Sequence, residues 1–222
     1  MSNIAVKDIP GYAEAIARES MLREAAFVPV TPDVCGFAIS PFTLQHYLTL
    51  KLISSPFLTG LTPSPNDLQA VLWLINPQHG SPPAHREHVA RCRDFMPPIQ
   101  PASRNWLLQG IWRRQYAAAL RKAAEITDKL REFIDESLMD FPAGSGRKAF
   151  TTSYYGDGAW MCGMFAHHFG WDDEKTLHTP MPRILQYLKV IGDIKGSTAP
   201  KFNPSDAVTA RWLKEQNAVK RN

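Results

Sequence analysis

The sequence predicts a mainly α protein: a helical hairpin, one long helix and a C-terminal helical group, with a minor extended segment near residues 26–39. Three observations carry this. A capping residue stands directly before proline at Ser40-Pro41, Ser64-Pro65, Thr179-Pro180 and Asn203-Pro204, the local chemistry of a helix start. Trp112, Tyr116, Ala119, Ala123, Ile126, Leu130 and Phe133 recur at alternating steps of four and three, which is a heptad seam. β-Favouring residues gather in AFVPVTPDVCGFAI, just before the hairpin. The repeated cap–proline start has no fixed period, so it is shared local chemistry and not a solenoid.

Taken in order, residues 1–9 read as loose chain, and Pro10 opens a helix to about Arg23 with Ala13, Ile16, Ala17 and Met21 on one face. Residues 41–76 form the core hairpin. Phe42, Leu44, Tyr47, Leu48, Leu50, Leu52 and Ile53 make its first helix apolar nearly all round, so most of it must be buried. Ser64 caps the second helix, Asp67 lies in its first turn where a carboxylate suits the dipole, and Asn76-Pro77 stops it. Ala84–Phe95 reads as a helix, followed by the stiff connector Met96-Pro97-Pro98-Ile99-Gln100-Pro101. That connector is the candidate boundary between an N-terminal part, 1–101, and a C-terminal part, 102–222; one continuous domain is the alternative.

Arg104–Met139 is the long helix, and Gly144-Ser145-Gly146 closes it as a loop. After a turn at Tyr154–Gly158, an apolar helix runs to Phe169, and Gly170 suits the left-handed position that ends it. Asp172 caps a short helix, Asp173–His178. An amphipathic helix follows from Thr179-Pro180, ended by Gly192 and Gly196, and a polar tail helix spans Ser205–Lys220.

Composition narrows the function classes. The chain has 222 residues, 44% of them hydrophobic, enough for a core. A net charge of +4 without a dense basic run permits an acidic partner but does not demand nucleic acid. Cys35, Cys92 and Cys162 are scattered and odd in number, which fits a reducing setting. No secretory leader and no apolar run of membrane-spanning length is read.

Chemistry-bearing motifs are weak. His85, His88 and Cys92 share one helix face and have zinc-donor chemistry, but the spacing matches no familiar zinc module; surface histidines beside a buried cysteine are the commoner explanation. His167-His168 near Asp172 and Asp173 suggest acid–base work, yet adjacent helix residues diverge by about 100°. His46, among leucines and aromatics, reads as a satisfied core histidine. No phosphate-binding loop, nucleophile elbow or paired CxxC is present. No catalytic residue and no cofactor are therefore expected, and the protein is read as non-enzymatic.

The seam is the expected partner-binding element, through Trp112, Tyr116, Ile126, Leu130 and Phe133, although such a seam more often packs inside its own subunit. Arg104, Arg113, Arg114, Arg121 and Lys122 precede Glu125, Asp128, Glu132, Asp135 and Glu136, so the helix is basic first and acidic later. That polarity complements an antiparallel partner better than a phosphate backbone.

Two blocks carry a resemblance. The first is Ser40-Pro41-Phe42-Thr43-Leu44 with His46, Ser55-Pro56-Phe57 and Asp67-Leu68. The second is His167-His168-Phe169-Gly170-Trp171 followed by Pro180-Met181-Pro182-Arg183. Together they resemble a group of tailed-bacteriophage proteins, some of them described as tail assembly chaperones. The matching residues are packing and capping motifs, not catalytic ones. The resemblance implies a phage assembly protein, chaperone-like, with other phage proteins as partners, tail components first among them; a homo-oligomer is the alternative partner that the heptad seam itself suggests. It places the protein in the cytoplasm of the infected host. A structural virion component, tail or connector, and a nucleic-acid-binding helical protein are the alternatives.

Overall fold

A computed structural model describes residues 11–25, 27, 32–101, 105–138, 156–194, 208 and 212. Among them the chain is mainly helical, with nine helices and one two-stranded antiparallel sheet. The expected tail helix at 205–220, the loop at 144–148, the Tyr154-Tyr155 turn, Arg104 and Gly196 lie outside these residues, in whole or nearly so. Two compact units form. One is Thr31–Leu185; the other combines Met1–Val30 with Gln186–Asn222. The Pro-rich connector lies within the first.

The Thr31–Leu185 unit begins with the hairpin β1 (Asp33–Val34) and β2 (Phe37–Ala38), in register Val34 opposite Phe37. Cys35 and Gly36 make the two-residue turn with φ of 51° and 87°. Positive φ at both positions gives the type I′ twist that matches paired strands. The Asp33 carboxylate accepts the Gly36 N–H at 2.8 Å and holds the turn. Val34 and Phe37 are buried, and Phe37 meets Phe95 and the His88 ring edge-on.

The first core helix, α2 (Leu44–Leu52), starts three residues later than Ser40-Pro41 predicts. Ser40 is spent elsewhere: its N–H and hydroxyl both donate to the Ile75 carbonyl, at 2.7 and 2.8 Å. Thr43 is the cap instead. Its hydroxyl accepts the His46 N–H at 3.4 Å, and His46 Nδ1 accepts the Thr43 N–H at 3.2 Å. This is a capping box with an imidazole where Glu or Gln usually stands. A further stitch fixes the same corner. The Leu44 N–H donates to Thr179 O, and the Met181 N–H donates to Phe42 O at 2.7 Å.

At its end α2 closes in a Schellman arrangement: the Ser54 N–H bonds Lys51 O and the Ser55 N–H bonds Leu50 O. Ser54 takes the left-handed position, φ 51°, where glycine is usual. Pro56–Thr59 then makes one extra turn, α3, capped by Ser55. Helix α4 (Pro65–Leu74) begins where the sequence predicts, with Ser64 and Asp67 in a reciprocal capping box. Helix α5 (Pro82–Cys92) starts two residues before the expected Ala84, at the first of two prolines.

The long helix α6 (Trp106–Ser137) has 32 residues, about 48 Å at 1.5 Å per residue. Asn105 caps it by accepting the Leu107 N–H at 2.9 Å. Beyond it lie α7 (Asp157–Phe169), ended by Gly170 at φ 64°, and α8 (Asp173–His178), capped by Asp172. The last described helix is α9 (Met181–Ile194), which runs through Gly192 without stopping. Helix α2 packs on α7 and α8, while α4 packs on α5 and α6. Phe42, Leu68, Leu72, Ile126, Leu130, Ile134, Phe165 and Ile184 are all essentially inaccessible and form the core. Phe42 meets Phe133 edge-on at 6.5 Å.

In the other unit, α1 (Tyr12–Ala25) half-buries Ile16, while Ala13, Ala17 and Met21 are exposed. Ile191 and Val208 are buried, and Phe27 meets Tyr187 edge-on. No helix among the described residues is long and apolar enough to cross a membrane.

Candidate protein interface

The heptad seam of α6 meets two different environments. From Ala119 onward it is closed in the core, with Ala119, Ala123, Ile126, Leu130, Ile134 and Ser137 buried. Ile126 and Leu130, two of the five expected partner-binding residues, have no surface to offer a partner, and Phe133 is largely used against Phe42. Apolar periodicity marks a face; here the subunit itself covers that half of it.

Before Ala119 the helix leaves the core. Trp106, Leu107, Leu108 and Ile111 are 77, 53, 46 and 53% exposed, and Ile99 on the connector is almost fully so. Thirteen residues, 106–118, make about 20 Å of helix in which nothing is fully buried. The Pro-rich connector runs back along part of this length. The Trp112 indole N–H donates to Pro98 O at 3.0 Å and the Gln109 amide to Pro101 O at 3.3 Å. Trp112 is thereby half-buried, and Tyr116 packs on it at 5.1 Å between ring centres. These two expected residues lie at the border between the covered seam and the open face. The open residues themselves, Trp106, Leu107, Leu108 and Ile111, escaped the sequence reading because they stand off the seam or before it.

An exposed apolar patch of this kind on one end of a helix is the ordinary mark of an interaction surface. Residues 105–122 hold Arg113, Arg114, Arg121 and Lys122 and no acidic residue. Lys122 pairs with Asp94 at 2.8 Å. Arg113 and Arg114 have no acidic partner among the described residues. Arg114 and Arg121, seven residues apart, share one edge of the helix, with Arg113 and Lys122 to either side of it.

The expected histidine–cysteine cluster resolves into packing. Trp73 is flanked by His79, His85 and His88, with ring centres 4.8 to 5.3 Å away. His88 Nε2 lies 3.1 Å from Gln69 O and 3.4 Å from Cys92 Sγ. A carbonyl only accepts, so Nε2 carries the proton and cannot take one from the thiol. Burial lowers the His88 pKa and pushes the Cys92 thiol up to about 12. The pair is therefore a neutral, inert core contact, not a nucleophile and base. Among the described residues no group of three or more His, Cys, Asp or Glu is placed to hold a metal ion.

His46 is brought down from 6.5 to about 4, first by burial and then by the neighbouring His79 and His178 imidazoles. The unprotonated ring is the form that accepts the Thr43 N–H, so this histidine has a structural task. His167 and His168 meet ring to edge at 4.8 Å. Asp172, which the sequence places near them, is engaged as the α8 cap at 2.6 Å from the Lys175 N–H. A cavity of about 360 Å³ opens beside the end of α2, lined by Tyr47, Lys51, Ser54, Ser55, Leu58 and Leu138 among others. Its one cation, Lys51, is paired with Asp157.

No family model, no curated protein and no solved structure matches this chain.

Proposed function

We propose that this chain is a non-enzymatic assembly protein of a tailed bacteriophage. It acts as a tail-assembly chaperone, holding an aggregation-prone tail component in the host cytoplasm through the open half of α6. The observation that carries this reading is the exposed apolar stretch Trp106–Ile111, set at the end of a helix whose other half is locked in the core. A rigid helix presenting an apolar face is a common way to bind a partner segment. The resemblance in the Ser40–His46 and His167–Arg183 blocks supplies the phage context.

Co-expression with the tail proteins tests it. The expected result is that a tail component becomes soluble and co-purifies with this chain, while mass spectrometry of finished particles finds the chain absent. Unchanged tail-protein solubility with no complex would overturn the reading. Stoichiometric recovery in particles would replace the chaperone by a structural virion component.

A further inference from the structure

We infer that the open half of α6 takes an amphipathic helix with acidic flanks as its partner; this deepens the partner-binding reading and rests on it. The exposed residues are not scattered. Leu108, Ile111, Gln115 and Ala118 recur at steps of three, four and three, and all four are exposed. They form a second heptad stripe, one position round the helix from the buried seam. With Leu108 as a and Ile111 as d, the g positions are Leu107, Arg114 and Arg121, and the e positions are Trp112 and Ala119.

The two flanks differ. On the e side Trp112 is tied to the connector through Pro98 O and Ala119 is buried, so that side is closed by the protein itself. On the g side Arg114 and Arg121 are exposed, and among the described residues Arg121 reaches its own helix, at Ala117 O. In coiled-coil pairing the residues at e and g set partner and orientation by charge. A partner helix seated on Leu108, Ile111 and Ala118 therefore meets a basic edge on one side and wants Glu or Asp there. Ala118 lets its backbone come close.

A second copy of this chain does not meet that requirement. In an antiparallel pair the g positions oppose each other: a register that lays stripe on stripe sets Arg114 and Arg121 against their own kind, and a register that sets them against Asp135 and Asp128 carries the apolar stripe over the charged Lys129, Glu132 and Glu136. In a parallel pair g opposes e, and e is already covered. The apolar stripe and the basic edge together select a different chain, one that carries both an apolar face and acidic flanks.

The test uses the full-length protein and two synthetic three-heptad peptides with Leu at a and d. One carries Glu at e and g, the other Lys. The Glu peptide repels itself and is unstructured alone, so its gain of helical circular dichroism on mixing reports binding. The expected result is binding of the Glu peptide only, weakening with added salt and falling at least about tenfold for R114E/R121E, since like charges across an interface are strongly penalised. Equal binding of both peptides, or no effect of R114E/R121E, overturns the inference. So does binding of the protein to phosphatidylserine vesicles, through the same arginines, without peptide binding. Co-purification with the tail component separates the two levels. If L108D/I111D abolishes the complex and R114E/R121E does not, the acidic partner is wrong and the interface stands. If neither substitution matters, both fall.

Discussion

Shortening one apolar residue in each half of α6 should have very unequal consequences for stability. Leu130 is inaccessible and packs in the core, whereas Ile111 is 53% exposed on the open half. Leu130→Ala removes buried methyl groups and leaves a cavity that close-packed neighbours fill only in part. The cost for such a site is about 3 kcal/mol, within a range of about 2–5. For a chain of this size 1 kcal/mol moves the melting temperature by about 3 °C, so the loss is about 9 °C. Ile111→Ala removes surface that water already reaches, and alanine is the better helix former by about 0.4 kcal/mol. The net change is within about 0.5 kcal/mol of zero. Thermal and urea unfolding followed by far-ultraviolet circular dichroism reads both. The reasoning fails if Ile111→Ala costs more than about 1.5 kcal/mol, for then the face is packed in the native fold, as a core-like loss implies. It fails equally if Leu130→Ala is silent.

Further expectations follow from single sites. His46 has a folded pKa below its ordinary value, so the unfolded chain takes up the proton first. Its contribution is complete above pH 6.5 and is lost as pH falls from 6.5 towards about 4. The difference sets a ceiling of about 3 kcal/mol, which the ring's partial solvent contact reduces to about 2 kcal/mol. His46→Gln keeps a side-chain acceptor for the Thr43 N–H, so it should flatten stability between pH 7 and pH 5; an unchanged acid limb would remove His46 as the cause. Cys35 sits on the hairpin turn, half-exposed, while Cys92 is inaccessible. Native-state maleimide labelling with peptide mass mapping should modify Cys35 first and leave Cys92 intact until denaturant is added; early labelling of Cys92 would contradict the packing around Phe37 and His88. Ser54→Gly relieves a left-handed serine at the end of α2 and should raise the urea midpoint by about 0.5–1 kcal/mol of stability. A lower midpoint would mean that the Ser54 side chain makes a contact that matters more than the backbone strain.

What the sequence made legible was local. Ser64-Pro65 with Asp67 is a start signal contained within four residues, and nothing distant competes for it. Gly170 and Asp172 worked for the same reason, as C-cap and N-cap. Ser40-Pro41 repeats the Ser-Pro pair without an acidic residue three positions on and fails as a start, because the Ile75 carbonyl, thirty-five residues away, takes the Ser40 hydroxyl. The true cap, Thr43, depends on a histidine in a role usually held by Glu or Gln, so no standard pattern marked it. Cys35 in the type I′ turn escaped notice because cysteine is not a usual positive-φ residue. The α6 seam was readable as a period, but a period does not say where the body ends. Only the fold shows that Ala119 is the last covered step and that Leu108 and Ile111 lie beyond it. The gathering of His79, His85 and His88 on Trp73 depends on how α4 meets α5, which spacing within α5 alone could not give.

The most direct test of the account is gel filtration with light scattering of this chain co-expressed with the tail components, wild type against L108D/I111D. Aspartate on the open face should leave the melting temperature of the isolated chain within about 2 °C of wild type, as surface substitutions do. The account predicts a discrete complex for wild type and an intact, uncomplexed chain for the double variant. A complex that survives both aspartates would place the interface elsewhere and contradict the claim that the open half of α6 is what this protein presents.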